Sequence, residues 1–274
     1  MDLNTVKAVV RPRGREELAG LRPGDALLAG GTWLFSEPQP KVKRLIDLND
    51  LNWAPMRADE AGLTLAATCT IATLYGFEPP PAWPAAQLIP ECCRSFLASF
   101  KIWNMATVGG NICLSLPAGP MISLCAALDG ICVIWMPDGS ERRMSLLDFV
   151  RGPMDNALEP DEILRAVEIP AEALRRSAAL RRASLTPLGR SGALIIGTRA
   201  REGAFALTVT AATRHPVRID FDAIPGRAAL MSAIDNAIPD TLYYDDIHGR
   251  PDWRRHMTRL LAEEVREELM EAAA

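Results

Sequence analysis

The sequence predicts an α+β fold, and three observations carry that expectation. Short strand-like alternations are interleaved with short helical stretches through roughly the first 170 residues. A charged, alanine-rich stretch, "AEALRRSAALRR" (171–182), then marks a boundary, and beyond it come paired strands and two closing helical patterns. Neither GxGxxG nor GxxxxGK[ST] occurs, so neither a doubly wound dinucleotide fold nor a P-loop is supported. With 274 residues, 49% hydrophobic and 23% charged, the chain is long enough for about two domains and apolar enough for a packed core.

The elements read in order. "TVKAVV" alternates like a strand and "GREELAGL" like a short helix. "DALLAGGT" is a strand running into a Gly-Gly turn, and "RLIDLND" is another strand. "APMRADEAGLTLAATCT" reads as a hairpin turning at "ADEAG". The proline-rich "FEPPPAWPAAQLIP" predicts an ordered surface loop without regular structure, followed by one helix over "ECCRSFLASFKIW". "ATVGGNICLSLP" reads as an apolar strand interrupted by glycines. "MISLCAALDG" is helical, and "ICVIWMPDGSERRMSL" is a hairpin turning at Pro137-Asp138-Gly139. A loop and a strand then run to Pro170. "ALIIGTRA" and "AFALTVTAAT" pair around "REG". In the last helix, Trp253, Met257, Leu260, Leu261, Val265 and Leu269 recur near a period of 3.6 and predict a core face.

Composition and motifs exclude several functions. A net charge of −4 gives no case for nucleic acid, and the arginine pairs (142-143, 175-176, 181-182, 254-255) are expected on solvated faces or subunit contacts. The start of the sequence has an early Asp and no long apolar core, so it does not read as a signal peptide. The most apolar region, "ISLCAALDGICVIWM", is broken by Asp129 and Gly130 and falls short of a bilayer span, so no membrane insertion is expected. The six cysteines (Cys69, Cys92, Cys93, Cys113, Cys125, Cys132) form no CxxC and are expected reduced and buried. His215, His248 and His256 lie in no HExxH arrangement, so no metal site is expected on this chain. "GRSGA" (189–193) misses the nucleophile elbow GxSxG because Ala193 stands where that strained turn needs glycine.

What remains are two Gly-Gly pairs, in "LLAGGTWLF" and "ATVGGNICLSLP". Glycine weakens a regular element, so each pair needs a reason, and a tight turn is the plainest one. Small polar residues accompany both pairs: Thr32 at the first, Thr107 and Asn111 at the second. Successive backbone N–H groups beside hydroxyl and amide side chains form a concavity suited to phosphate oxygens, and two such loops suit a diphosphate.

"LLAGGTWLF", "RLIDLND", "KIWNMATVGGNICLSLP" and "DEILRAVEIP", in this order, resemble the FAD-binding medium subunit of the molybdenum hydroxylases, the xanthine dehydrogenase and carbon monoxide dehydrogenase family. "TLYYDDIHGRPDWRRHMTRLLAEEV" is similar to that family's flavoprotein C-terminal domain. The resemblance implies a vanillyl-alcohol-oxidase-like (PCMH-type) fold. Residues 1–170 would be an FAD-binding domain with subdomains of about 1–55 and 56–170, and 171–274 a small α+β C-terminal domain. Leu27, Leu28, Ala29, Gly30, Gly31, Thr32, Trp33 and Leu34 would form the first diphosphate loop. Thr107, Gly109, Gly110 and Asn111 would form the second. Leu97 and Leu164 would lie near the flavin, and Arg181 falls where the family often places a basic residue close to the isoalloxazine ring. Two positions depart from the family: Trp33 replaces a small polar or acidic residue, and Pro120 replaces an Asp that shapes the flavin pocket.

The implied function is electron transfer. Two-iron–two-sulfur clusters on a small partner subunit would pass electrons to FAD on this chain, from a molybdenum cofactor on a large partner subunit. No side chain here would act as nucleophile or general base. A dimer of heterotrimers in the cytoplasm is expected, or in the periplasm if a partner carries the complex out. The alternative, suggested by Trp33 and Pro120, is a non-catalytic scaffold subunit of the same fold that has lost flavin.

Overall fold

The computed structural model describes residues 3–18 and 20–272. Strands β1 (Ala8–Val10), β2 (Asp25–Leu28) and β3 (Arg44–Asp47) form a small parallel sheet in the order β1-β3-β2. Arg44 clamps β2 to β3 by donating Nε to Asp25 Oδ1 at 2.8 Å, which lowers the Asp25 carboxyl pKa. The helix expected after β1 is only a 3₁₀ turn, Arg15–Leu18, followed by Gly20 in a left-handed conformation; Ala19 of that stretch lies outside the described residues.

The middle of the chain builds an antiparallel five-stranded sheet. Its elements are β4 (Met56–Asp59), β5 (Gly62–Ala66), α1 (Ile71–Tyr75), α2 (Leu88–Ser95), α3 (Phe100–Trp103), α4 (Val108–Leu114), α5 (Pro120–Ala127), β6 (Ile131–Trp135), β7 (Glu141–Ser145), α6 (Leu146–Phe149), β8 (Val150–Gly152), β9 (Asp155–Asn156) and β10 (Ile163–Pro170). The sheet order is β4-β5-β10-β6-β7, and β8 pairs with β9 as a short ribbon. Two expectations fail here. The proline-rich stretch is not wholly irregular: Pro84 opens a 3₁₀ turn over Pro84–Gln87, and α2 starts at Leu88 with Pro90 in its first turn. Proline is tolerated there because a first-turn N–H has no intrahelical acceptor to lose. The single helix expected over 91–103 is two, because Leu97 adopts φ 43° and breaks the run between α2 and α3.

The last part of the chain carries α7 (Ala171–Leu174), β11 (Ser177–Ala183), β12 (Ala193–Arg199), β13 (Phe205–Thr210), β14 (Val217–Phe221), α8 (Arg227–Ala237) and α9 (Pro251–Glu271). Its antiparallel sheet runs β11-β12-β13-β14. β12 and β13 are buried on both faces, which explains their unbroken apolar sequence. Ile195, Leu207 and Val209 pack with Leu261, Val265 and Leu269 of α9. Leu194 and Ile196 point the other way, into the large core shared with α2 and α5. On α9 the buried residues are Arg254, Thr258, Leu261, Ala262, Glu263, Val265, Arg266 and Leu269, whereas Leu260 is 45% exposed. Leu260 sits about 100° around the helix from Leu261, and the seam runs through i, i+4 steps that miss it. Arg254, expected at a surface, is 1% exposed.

All six cysteines are free. Burial pushes the Cys69, Cys93 and Cys125 thiols up to about 12, and Cys92 is raised as well, so the vicinal pair Cys92-Cys93 presents no thiolate near neutral pH. Among the described residues no helix is long and apolar enough to cross a membrane.

Gly197 of β12 sits where α9 lies flush on the sheet. A Cβ there would meet Leu269 Cδ1 at 2.9 Å, and the Val265 side chain as well. Gly197→Ala is expected to cost about 1–3 kcal/mol, read as a lower urea midpoint. An unchanged midpoint would contradict the seating of α9 at this residue.

Candidate ligand-binding cleft

A cleft of about 610 Å³ opens between the three sheets. The loop after β2, residues 29–34, forms one wall, and α4 with residues 116–120 forms another. Leu97 and Ile102 lie along its rim, Leu158, Ile163 and Leu164 along its side, and Leu188 and Arg190 reach in from the β11–β12 loop. Its size is that of a small-molecule or cofactor site.

The first loop is shaped by its glycines. Gly31 has φ +69°, a left-handed conformation that disfavours any side chain. A Cβ on Gly30 would fall on the Met105 carbonyl, so this loop rests on the backbone that leads into α4. Phe35 N–H donates to Gly31 O at 2.8 Å and Ser36 N–H to Trp33 O at 2.9 Å, closing the bend. Among the described residues, the five N–H groups from Gly30 to Leu34 have no acceptor within the chain, and all five residues line the cleft. Outside, Asn49 Nδ2 donates to Ala29 O at 2.9 Å and ties the loop to the turn after β3.

The second glycine pair differs from its expected form. Gly109 and Gly110 do not end a strand; they lie in the first turn of α4, and Thr107 is its N-cap. Thr107 Oγ1 accepts from Gly110 N–H at 3.0 Å, a spacing of N-cap to third helical residue that the strand reading overlooked. Val108 and Ile112, four apart, supply the buried face. Gly109 is needed because the helix lies against the end of β5: a Cβ would meet Ala67 Cα at 2.7 Å. Gly109 N–H donates to Ala67 O at 2.9 Å and Val108 N–H to Cys69 O at 2.8 Å. The second loop therefore spends its N–H groups on the protein. What it offers the cleft is bare surface at Gly110 and the side chain of Asn111. Asn111 Oδ1 accepts from Met121 N–H at 3.0 Å and caps α5, leaving Nδ2 without an acceptor among the described residues.

Leu27, Ala29, Gly30, Gly31, Thr32, Trp33, Leu34, Leu97, Thr107, Gly109, Gly110, Asn111 and Leu164 all line this cleft. Leu28 and Arg181 do not. Leu28 alternates to the other side of β2, and its Cδ1 packs under Gly31. Arg181 turns toward α9, where it pairs with Glu264 at 3.2 Å and Glu268 at 2.6 Å. Its neighbour Arg182 turns the other way, donating Nε to Ser191 Oγ at 2.7 Å and a second bond to Gly189 O. This braces the loop carrying Arg190, the one charged residue in the lining among the described residues. Nothing in "GRSGA" beyond a failed nucleophile elbow marks Arg190, and Ser191 is 2% exposed and already bonded. Trp33 and Pro120, the two family departures, both face the cleft.

The side wall is pinned by an ion pair. Arg142 donates to both carboxylate oxygens of Glu162, at 2.7 and 2.5 Å, and to Ala157 O at 2.7 Å. Glu162 Oε2 also accepts from Glu159 N–H at 2.8 Å, fixing the segment that leads into Ile163 and Leu164. The Arg142 hydrogen bond, chiefly, holds the Glu162 carboxyl below its ordinary range.

Fold and cleft together define a domain with a cleft of ligand size: apolar walls, a run of free N–H groups and one guanidinium. Among the described residues no three or more His, Cys, Asp or Glu side chains are grouped to hold a metal ion. Residues 6–172 match the family model described as "FAD binding domain in molybdopterin dehydrogenase". The chain belongs to that family. It is 31% identical over 151 residues to the nicotinate dehydrogenase FAD-subunit of Eubacterium barkeri, a match covering 53% of this chain and 50% of the relative. It is 28% identical over 148 residues to the carbon monoxide dehydrogenase medium chain of Afipia carboxidovorans, covering 52% and 50%. The chain thus spans about half the length of the curated relatives it matches. Quinoline 2-oxidoreductase from Pseudomonas putida 86 shares the fold over 100% of this chain and 99% of that one, with a TM-score of 0.81 at 19% identity.

The residues fit FAD. Gly30 and Gly31 form a cradle that side chains would fill, and the N–H groups beside it suit diphosphate oxygens. Among the described residues no carboxylate lines the cleft to repel them.

The two α4 glycines separate by a simple substitution. Gly109→Ala meets backbone and is expected to cost about 1–3 kcal/mol, while Gly110→Ala, facing only Thr107 Oγ1 at 3.0 Å, should stay within about 1 kcal/mol of the parent. Urea titration of both variants checks the order. Glu162→Gln should lower stability at neutral pH by about 1–3 kcal/mol. Because its native pKa is lowered, the Glu162 carboxylate stabilises above the ordinary glutamate range, and that stabilisation is lost as pH falls through the lowered native value. The parent and Glu162→Gln should therefore converge in acid. A gap independent of pH would contradict this.

Proposed function

We propose that this chain is the FAD-carrying electron-transfer subunit of a heteromeric molybdenum-containing hydroxylase or dehydrogenase. The observation that carries the reading is the run of free N–H groups from Gly30 to Leu34, opposite the bare surface of Gly110 and the Nδ2 of Asn111, in one cleft. Bound FAD would supply the redox chemistry, taking electrons singly and passing them on in pairs. The protein's part is to hold it. Residues 27 and 29–34 bind the diphosphate from one side, and Thr107, Gly109, Gly110 and Asn111 shape the other. Leu97 and Leu164 wall the flavin, and Arg190 supplies the positive charge that Arg181, engaged with α9, does not.

In this reading residues 1–170 form the FAD-binding domain, in subdomains of about 1–55 and 56–170, and 171–274 form the C-terminal domain. The names of the relatives, subunits of nicotinate and carbon monoxide dehydrogenases, support an oxidoreductase with partner subunits. A large molybdenum-cofactor subunit and a small iron–sulfur subunit are the partners, in a dimer of heterotrimers in the cytoplasm. Trp33 and Pro120 in the lining favour the second reading, a scaffold subunit of this fold without flavin.

Co-expressed material should show flavin absorption bands and release FAD on denaturation. Gly110→Leu, whose side chain would enter the cleft, should remain folded and lose about tenfold or more of its FAD affinity. A colourless preparation with partners present and FAD supplied would favour the scaffold.

A further inference from the structure

We infer that Arg254, buried in the first turn of α9, is a positioning residue for the cleft wall made by residues 116–120 and 184–192. The inference rests on the FAD reading for its ligand, and on geometry alone for its mechanics.

Arg254 donates Nε to Gly249 O at 2.8 Å and Nη1 to Gly192 O at 2.8 Å. Nη1 also donates to Ala211 O, and Nη2 to Asp246 Oδ1. Its side chain is 1% exposed, so these acceptors replace water for the charge. Tyr244 lies beside it, with the ring centroid 5.7 Å from Cζ.

Two of these acceptors lead to the cleft. Ala211 is a non-glycine residue at φ +62°, a conformation that holds only if its surroundings impose it. Its carbonyl is taken by Arg254, and its N–H donates to Pro117 O at 2.9 Å. Pro117 lies in the 116–120 wall. Gly192, the second acceptor, is the root of the loop carrying Leu188 and Arg190, and its N–H donates to Ala183 O at 2.8 Å. A small cavity of about 40 Å³ lies behind this wall; Arg254, Asp246, Ser191 and Tyr244 line it together with Leu116, Ala118 and Arg190, which also line the main cleft. One guanidinium thus fixes both segments from behind, without lining the main cleft. A single ammonium could not span the two carbonyls and Asp246 in this planar fork.

The test compares Arg254→Lys with Arg266→Lys in the full chain. Arg266 is likewise buried on α9 and paired with Glu263, but it lies outside the cleft lining. Hydrogen exchange is followed at 116–120 and 184–192, and FAD affinity by reconstitution. Arg254→Lys should speed exchange in those two segments and weaken FAD binding about tenfold or more, with an altered visible circular dichroism of the flavin. Arg266→Lys should do neither. If Arg254→Lys does not fold, Asp246→Asn, which loosens the guanidinium while leaving its carbonyl acceptors, should show the same exchange pattern. Exchange in the two segments unchanged in the folded variant overturns the inference, as does equal change in the Arg266→Lys control. Should the parent chain take up no FAD while the exchange pattern holds, the FAD reading falls and the positioning role stands.

Discussion

The cleft depends on one close approach, that of Gly30 to the Met105 carbonyl. It brings the end of a parallel sheet from the first fifty residues against the segment that enters α4. No side chain fits between them, so the separation of the two walls is set by main chain on main chain. Gly109 repeats the device one step further, laying α4 against Ala67 at the end of β5. Both contacts give up the stabilising bulk of a side chain for a fixed distance. The free N–H groups of Gly30 to Leu34 can then be held open, because the loop is supported from behind by packing and by Asn49, and its own bend is closed by the N–H groups of Phe35 and Ser36.

Much of the strand and helix pattern was legible because strands either alternate, as in β5, or run apolar without a break, as in β12, between clear turn residues. The hairpins β4–β5, β6–β7 and β12–β13 follow their apolar periods and turn residues. The first glycine loop was legible too, since it continues a strand that ends where the glycines begin. The second reads as strand in the sequence and is helix in the structure. The element is only seven residues long, and strand and helix patterns differ little at that length. The signal that separated them was local: a threonine three residues before a glycine, acting as a cap.

Arg181 and Arg190 show a different limit. Arg181 lies on β11 and faces α9, whose Glu264 and Glu268 take it, whereas Arg190 lies on the loop that follows and reaches the cleft. The acceptors are more than eighty residues away in sequence, so no local pattern could have announced the pairing. Arg254 is the same case at greater depth, a charged residue in a polar stretch whose acceptors lie at Gly192, Ala211, Asp246 and Gly249.

Strands β12 and β13 of the β11-β12-β13-β14 sheet are buried on both faces, with α9 on one side and α2 with α5 on the other. During synthesis the first 170 residues leave the ribosome before this sheet exists. Until then the side of α2 and α5 that later meets Leu194 and Ile196 is bare to solvent, so the emerging chain has a window of aggregation risk. Closing it requires β11 to β13, so the ligand cleft is complete only once those strands have formed.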